Sequence, residues 1–215
     1  MLGISNMPGC GFGNKLMYYY NLRQAAHKRG MNYFCVPFPG HHFFEGNLLG
    51  NYPPLGNYEV FDFCLGDKFF EESGISTRDV FKLKMDQNIS TETCAIHFRG
   101  TDFHDWNPES ILKSQYYCDS IDLVRNEVSN FILFTDDVNL ESYKNVKAYL
   151  KENGLKFFIG QNAGNRFNYI HDFSVMSECD CIISSPSTFC ISAGFIGKQK
   201  KIIHSKAVSY THLTL

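Results

Sequence analysis

The 215-residue sequence contains no apolar run approaching the ~20 residues that a membrane-spanning helix requires. Its N-terminus also lacks an export-signal pattern, because Gly3, Asn6, Pro8 and Gly9 interrupt any apolar core. There is no basic excess: 20 Lys and Arg stand against 22 Asp and Glu, so nucleic acid is not the expected partner. The short cluster Lys198-Gln199-Lys200-Lys201 is smaller than a basic arm. Eight cysteines are present (Cys10, Cys35, Cys64, Cys94, Cys118, Cys179, Cys181 and Cys190), but no CxxC pair or repeated spacing. That argues against zinc, and the thiols are expected to be free and to pack as small apolar groups. These absences lead to an expectation of a cytoplasmic protein with reduced thiols, no metal and no integral membrane segment. Association with a membrane surface stays open.

What is present is an ordinary globular composition, 44% hydrophobic and 20% charged, unusually rich in phenylalanine at 20 residues. The apolar residues fall in short runs. Cys94-Ala95-Ile96-His97-Phe98, Phe131-Ile132-Leu133-Phe134, Lys156-Phe157-Phe158-Ile159 and Cys181-Ile182-Ile183-Ser184 read as buried strands, and Lys201-Ile202-Ile203-His204 as one more. Helical patterns lie between them over 114–128, 140–153 and 170–178, with Gly154 as a helix stop. Alternating strands and helices at this spacing predict a parallel sheet of the Rossmann type after about residue 92. The first half opens with a short extended stretch, Ile4-Ser5-Asn6, and the glycine-rich turn Gly9-Cys10-Gly11-Phe12-Gly13-Asn14. A helix with Leu16, Tyr19, Leu22 and Ala26 on one side follows and ends near Gly30, and a strand over 33–36 completes one βαβ unit. Residues 37–70 read as loops with short elements, and the polar stretch 73–86 as a linker. The expected fold is therefore α/β, with two small halves facing each other across a ligand cleft at the carboxyl ends of their strands.

The last eight residues, Val208 to Leu215, back-translate without strain to GTC TCT TAT ACA CAT CTG ACG CTG, the transposon-end adapter used in preparing sequencing libraries. Residues 207–215 are accordingly set aside as a non-native tail, and the natural sequence is expected to continue past Lys206, with its true C-terminus missing here.

Three local signals carry chemistry. The first is His97-Phe98-Arg99-Gly100-Thr101-Asp102 directly after a strand, which gathers a ring donor, a fixed positive charge and a carboxylate at one place. The planar fork of Arg suits a phosphate, although an Arg99–Asp102 surface ion pair explains the spacing equally well. The second is the glycine-rich turn that opens a helix, where backbone N–H groups and the helix dipole favour a diphosphate. Its GxGxG pattern is not the GxGxxG of dinucleotide enzymes, and the glycines could serve a tight turn alone. The third is Ser184-Ser185-Pro186-Ser187-Thr188-Phe189 after a strand, whose hydroxyls could hold a phosphate or ribose, or simply cap the next helix.

In this order the signals resemble the motifs of the fucosyltransferase superfamily. Gly11-Phe12-Gly13-Asn14-Lys15-Leu16 looks like its GxGN(Q/K)L opening, and His97-x-Arg99-x-x-Asp102 like its HxRxxD sugar-nucleotide motif. Phe131-Ile132-Leu133-Phe134-Thr135-Asp136-Asp137 is similar to its strand ending in (S/T)DD. Asp172-x-x-x-Met176-Ser177-x-Cys179, with Ile182-Ile183 and Ser187-Thr188-Phe189, looks like its last motif. The resemblance runs from about residue 3 to residue 206 and is nearest to bacterial α-1,2-fucosyltransferases. It implies a GT-B fold of two Rossmann-like halves, residues 1–88 on the acceptor side and 89–206 binding the sugar nucleotide. It also implies an inverting, metal-independent transfer of fucose from GDP-fucose to a glycan hydroxyl, with no cofactor. Carried over by position, Arg99 would stabilise the departing GDP, and His97 and Asp172 would contact guanosine. Ser187 and Thr188, beside Phe189, would hold the phosphates, and Gly11, Gly13 and Asn14 would close over the diphosphate or present the acceptor. The sequence departs from the family where Gly100 replaces a frequent second Arg and where Ile191 and Ser192 replace aromatics.

An inverting transfer to a hydroxyl wants a general base. Asp105 and Glu109 are the candidates, with Asp102 as fallback and otherwise an orienting partner of Arg99. The competing expectations are a fucosyltransferase acting on a protein or lipo-oligosaccharide, and a non-catalytic GDP-sugar or glycan-binding module.

Overall fold

A computed structural model describes residues 1–51, 58–62, 74–84, 89, 92–161 and 169–205, with the Trp106 side chain left aside. The 207–215 tail, Cys64 and parts of the 37–70 and 73–86 segments lie outside the described residues. The chain is α/β and divides into two compact units, one up to residue 85 and one from residue 86.

The first unit holds a three-stranded parallel sheet. Strand β1 (Leu2–Ile4) leads through the glycine-rich turn to helix α1 (Phe12–Lys28) and strand β2 (Tyr33–Cys35), which is the expected βαβ unit. A third strand, β3 (Glu59–Val60), pairs with β1 in parallel and gives the order β2-β1-β3. Sequence pattern does not reveal β3, because both of its residues are exposed and no apolar alternation marks it. Helix α1 buries Leu16, Tyr19, Leu22 and Ala26 as expected. It also buries Met17 and Tyr20, a broader apolar face than one stripe. The linker reading of 73–86 does not hold for its described residues. Thr77–Val80 form a short helix, α2, capped by the Ser76 side chain, and Val80 and Phe81 are buried. Phe81 packs its ring 5.2 Å from Phe44 and 5.6 Å from Tyr19, so this stretch closes the aromatic core of the first unit.

The second unit is a five-stranded, wholly parallel sheet in the order β6-β5-β4-β7-β8. Along the chain its elements are β4 (Thr93–Phe98), α3 (Phe103–Trp106), α4 (Ser114–Val124), β5 (Asn130–Thr135), α5 (Glu141–Glu152), β6 (Phe157–Ile159), α6 (Tyr169–Glu178), β7 (Cys181–Ser184), α7 (Thr188–Ile196) and β8 (Lys201–His204). The central strands β4 and β7 are buried along their whole length, and their apolar stretches Cys94–Ile96 and Cys181–Ile183 fit a sheet covered on both faces. Cys94, Ile96 and Phe98 of β4 join Tyr117, Ile121, Leu133, Tyr143 and Val146 in one core under α4 and α5. The alternate residue His97 faces the other way and meets Phe189. Two expectations need correction. Helix α4 stops at Val124 rather than 128, and β6 is an edge strand, with Phe158 50% and Ile159 40% exposed rather than buried. Gly154 ends α5 at φ +66°, where the left-handed backbone favours glycine.

The strand order turns back at β4. The chain moves outward through β5 and β6, then returns to the other side of β4 for β7 and β8. The crevice beyond the carboxyl ends of β4 and β7 is therefore the switch point where α/β sheets of this kind bind ligands. The seven described cysteines are free thiols, and five of them are buried. Among the described residues no helix is long and apolar enough to cross a membrane.

Candidate functional site at the carboxyl end of the parallel sheet

Strand register brings the site together. In the β4–β5 pairing His97 lies opposite Phe134 and Phe98 opposite Thr135. One step further along each chain sets Arg99 beside Asp136. The guanidinium places Nη1 2.6 Å from Asp136 Oδ2 and Nη2 2.7 Å from Asp102 Oδ1, over the ring of Phe103. Asp136 is the organising residue. Its carboxylate also accepts the Gly100 backbone N–H at 2.8 Å and the Thr101 hydroxyl at 2.7 Å. The Arg99 side chain is 28% exposed, Asp136 13% and Asp102 44%, so Asp102 is the outer and more readily displaced of the two carboxylates.

Gly100 has a steric reason. A Cβ there would lie 2.8 Å from Asp137 Cβ and 3.1 Å from its Oδ2, so a side chain at 100 requires Asp137 to move. Asp137 is in turn fixed, because Thr135 Oγ1 accepts its N–H and its own Oδ1 accepts the Asn139 N–H. Its Oδ2 lies 3.4 Å from His104 Nε2.

On the other side of the switch point His97 Nδ1 lies 2.7 Å from the Ser185 hydroxyl, a bond that spans the ends of β4 and β7. Burial lowers the imidazole pKa to about 4, with Arg99 adding to the shift and Asp136 opposing it, so His97 is neutral at physiological pH. Its ring centroid is 5.7 Å from Phe189, which also packs on Phe173 and Tyr169 of α6. Ser187 caps α7 by accepting the Phe189 N–H at 3.3 Å, and Thr188 begins the helix. The capping reading of the serine-rich stretch is thus correct for Ser187, whatever else it does. Asp172 is buried in the first turn of α6, with His171 Nδ1 3.8 Å from its Oδ1.

The site residues named from sequence do not all gather at one place; Asp172 stands on α6. His97, Arg99 and Asp102 gather at the end of β4, and Ser187, Thr188 and Phe189 follow β7, linked to His97 through Ser185 and Phe189. Asp105 in α3 and Glu109 in the following short turn are exposed side chains beyond Arg99. Gly11, Gly13 and Asn14 belong to the first unit. Gly11 is the exposed N-cap of α1 at φ −62°, Gly13 is buried in its first turn, and Asn14 Oδ1 is buried without a hydrogen-bond partner among the described residues. Added Cβ atoms on Gly9 or Gly11 would meet nothing within 4 Å, so neither close packing nor a left-handed backbone requires glycine there. Sequence reasoning overlooked Asp136 as the partner of Arg99, together with Thr101, Ser185 and the His104–Asp137 contact. The usable signal was an acidic pair at a strand's carboxyl end, but only the sheet order shows which loop it faces.

No family model matches this chain, and no curated protein matches it.

Proposed function

We propose that the chain is a glycosyltransferase of GT-B type that moves fucose from GDP-fucose to a hydroxyl of a glycan, in the manner of α-1,2-fucosyltransferases. The observation that carries this reading is the Arg99 guanidinium, held by Asp136 at the carboxyl end of the central strand, next to the switch point. A leaving diphosphate needs its developing charge neutralised as the bond to the sugar breaks, and a positioned Arg supplies a two-pronged donor for it. The diphosphate exchanges with Asp102, the outer carboxylate on Arg99, while Asp136 keeps the guanidinium in place. The capped N-terminus of α7, with Ser187 and Thr188, offers further donors from the other side of the crevice.

In this scheme the acceptor oxygen bonds to the anomeric carbon on the face opposite GDP. The bond from that carbon to the β-phosphate oxygen breaks, and GDP departs with the electron pair. The acceptor proton passes to a carboxylate, for which Asp105 and Glu109 are the sequence candidates. The neutral His97 acts as a fixed polar wall, ordered by Ser185 and packed at a tilt against Phe189, and Asp172 on α6 is assigned to the guanine. The alternative of a non-catalytic GDP-sugar or glycan-binding module draws on one observation, the two carboxylates already seated on Arg99.

Calorimetry with GDP, GDP-fucose, GDP-mannose and a UDP-sugar, joined to an assay of GDP release, tests the reading. Preference for guanine nucleotides, loss of GDP binding in Asp172→Ala and slow release of GDP from GDP-fucose are expected. Preference for the UDP-sugar would overturn the donor assignment, and tight GDP-fucose binding without turnover on any acceptor would favour the binding module.

A further inference from the structure

At the amino end of its sheet the second unit carries a pair of thiols that takes no part in the proposed reaction. In the β4–β7 ladder Cys94 is the register partner of Cys181, 87 positions along the chain. Both belong to the one core that lies under α4 and α5, so they share a face of the sheet. Neighbouring strands run about 4.7–4.9 Å apart, and directly paired side chains on one face of a parallel ladder stand side by side at that spacing. This lies within the ~4.4–6.8 Å that a disulfide spans between Cα atoms, and slightly beyond the ~3.5–4.5 Å it takes between Cβ atoms. We propose that Cys94 and Cys181 form a reversible redox pair, which hydrogen peroxide joins into a disulfide between the two strands that frame the switch point.

The surroundings decide which sulfur reacts first. The Cys94 S–H donates to the Cys181 sulfur, and this bond lowers the Cys181 thiol pKa. Burial, Glu127 and Asp180 oppose that shift, while the ammonium of Lys201, the register partner of Cys181 on β8, adds to it. Burial raises Cys94, and it is also the largest cause of the upward shifts at the other five described thiols. The thiolate is the reactive form, so Cys181 is the attacking group. Its sulfur bonds to one peroxide oxygen, the O–O bond breaks, and the departing hydroxide takes up the Cys181 proton and leaves as water. The Cys94 sulfur then attacks the Cys181 sulfur, the S–O bond of the sulfenic acid breaks, and a second water leaves with the Cys94 proton. Two thiols and one peroxide thus give one disulfide and two waters. Cys181 is buried one strand in from the sheet edge, behind β8, whose four residues are all partly exposed. Local opening of that edge strand is the route for an oxidant little larger than water. The inward draw of the Cβ atoms strains the bond, and strained disulfides are the ones that thiols reduce readily.

The test exposes the whole folded chain to hydrogen peroxide without denaturant, caps the remaining thiols by alkylation and maps the unreduced peptides by mass spectrometry. A cross-linked Cys94–Cys181 peptide, lighter by two hydrogens than its reduced parts, is the expected dominant disulfide. It should form about tenfold or more faster than oxidation at the buried Cys35 or Cys190. Dithiothreitol is expected to remove it and to restore the starting amide NMR spectrum. Oxidation confined to the partly exposed Cys10 and Cys118, a cross-link from Cys94 or Cys181 to a different cysteine, or a bond that forms only after unfolding in denaturant would each overturn the proposal. None of these outcomes bears on GDP binding, so the transferase reading stands or falls separately.

Discussion

The bend ahead of α1 and the loop after β4 are both turns at the carboxyl end of a parallel strand, and they are built in opposite ways. In the bend the Lys15 ammonium ties to the Cys10 carbonyl, open space surrounds the Cβ positions of Gly9 and Gly11, and Asn14 Oδ1 is unpaired among the described residues. In the β4 loop a single carboxylate, Asp136, takes the Arg99 guanidinium, the Gly100 N–H and the Thr101 hydroxyl at once. A saturated loop fixes one geometry before any ligand arrives, whereas an open bend leaves backbone free to be approached. A charge that must neutralise a leaving group needs the first property, and a turn that closes over a ligand needs the second.

Four substitutions sharpen the contrast, in descending order of effect. Asp136→Ala removes the hub and leaves Arg99 with only the outer Asp102, so stability should fall by about 3 kcal/mol in denaturant unfolding. A loss below ~0.5 kcal/mol would mean that the loop is not held from Asp136. His97 comes next. Its folded-state pKa of about 4 lies below the ~6.5 of an unfolded chain, so the unfolded chain takes up the proton first as pH falls. This contribution is complete above pH ~6.5 and is lost on acidification toward pH 4, by up to about 3 kcal/mol, and His97→Gln should flatten the slope. Gly100→Ala pushes against Asp137 and should cost about 1–3 kcal/mol, with the neighbouring His104 environment disturbed in NMR spectra. Gly11→Ala should change stability by no more than ~0.5 kcal/mol, because its Cβ enters open space. If the bend closes over a phosphate, the same substitution weakens GDP binding despite its thermal silence.

Much of the second unit was legible because its central strands are buried on both faces and so carry short, mainly apolar runs. The same rule misled at β6, where Phe158 and Ile159 form an apolar run on an exposed edge. Residues Glu59, Val60 and Thr77–Val80 gave no periodic signal, since such short elements owe their form to tertiary pairing rather than to a local pattern. Among site residues, the HxRxxD spacing was visible as a cluster within one loop. The Asp136 contact depends on which strand lies beside β4 and in what register, and a linear sequence does not state that. Gly100 stood out as a missing charge, and its actual constraint is the closeness of Asp137, 37 positions along the chain.

The most direct test of the central assignment is phosphorus NMR of GDP bound to the wild-type chain and to Arg99→Ala, both in buffer containing EDTA. The β-phosphorus resonance is expected to shift on binding to wild type and to return toward its free position in Arg99→Ala, with the α-phosphorus resonance still perturbed. An identical β-phosphorus shift in both proteins would contradict it.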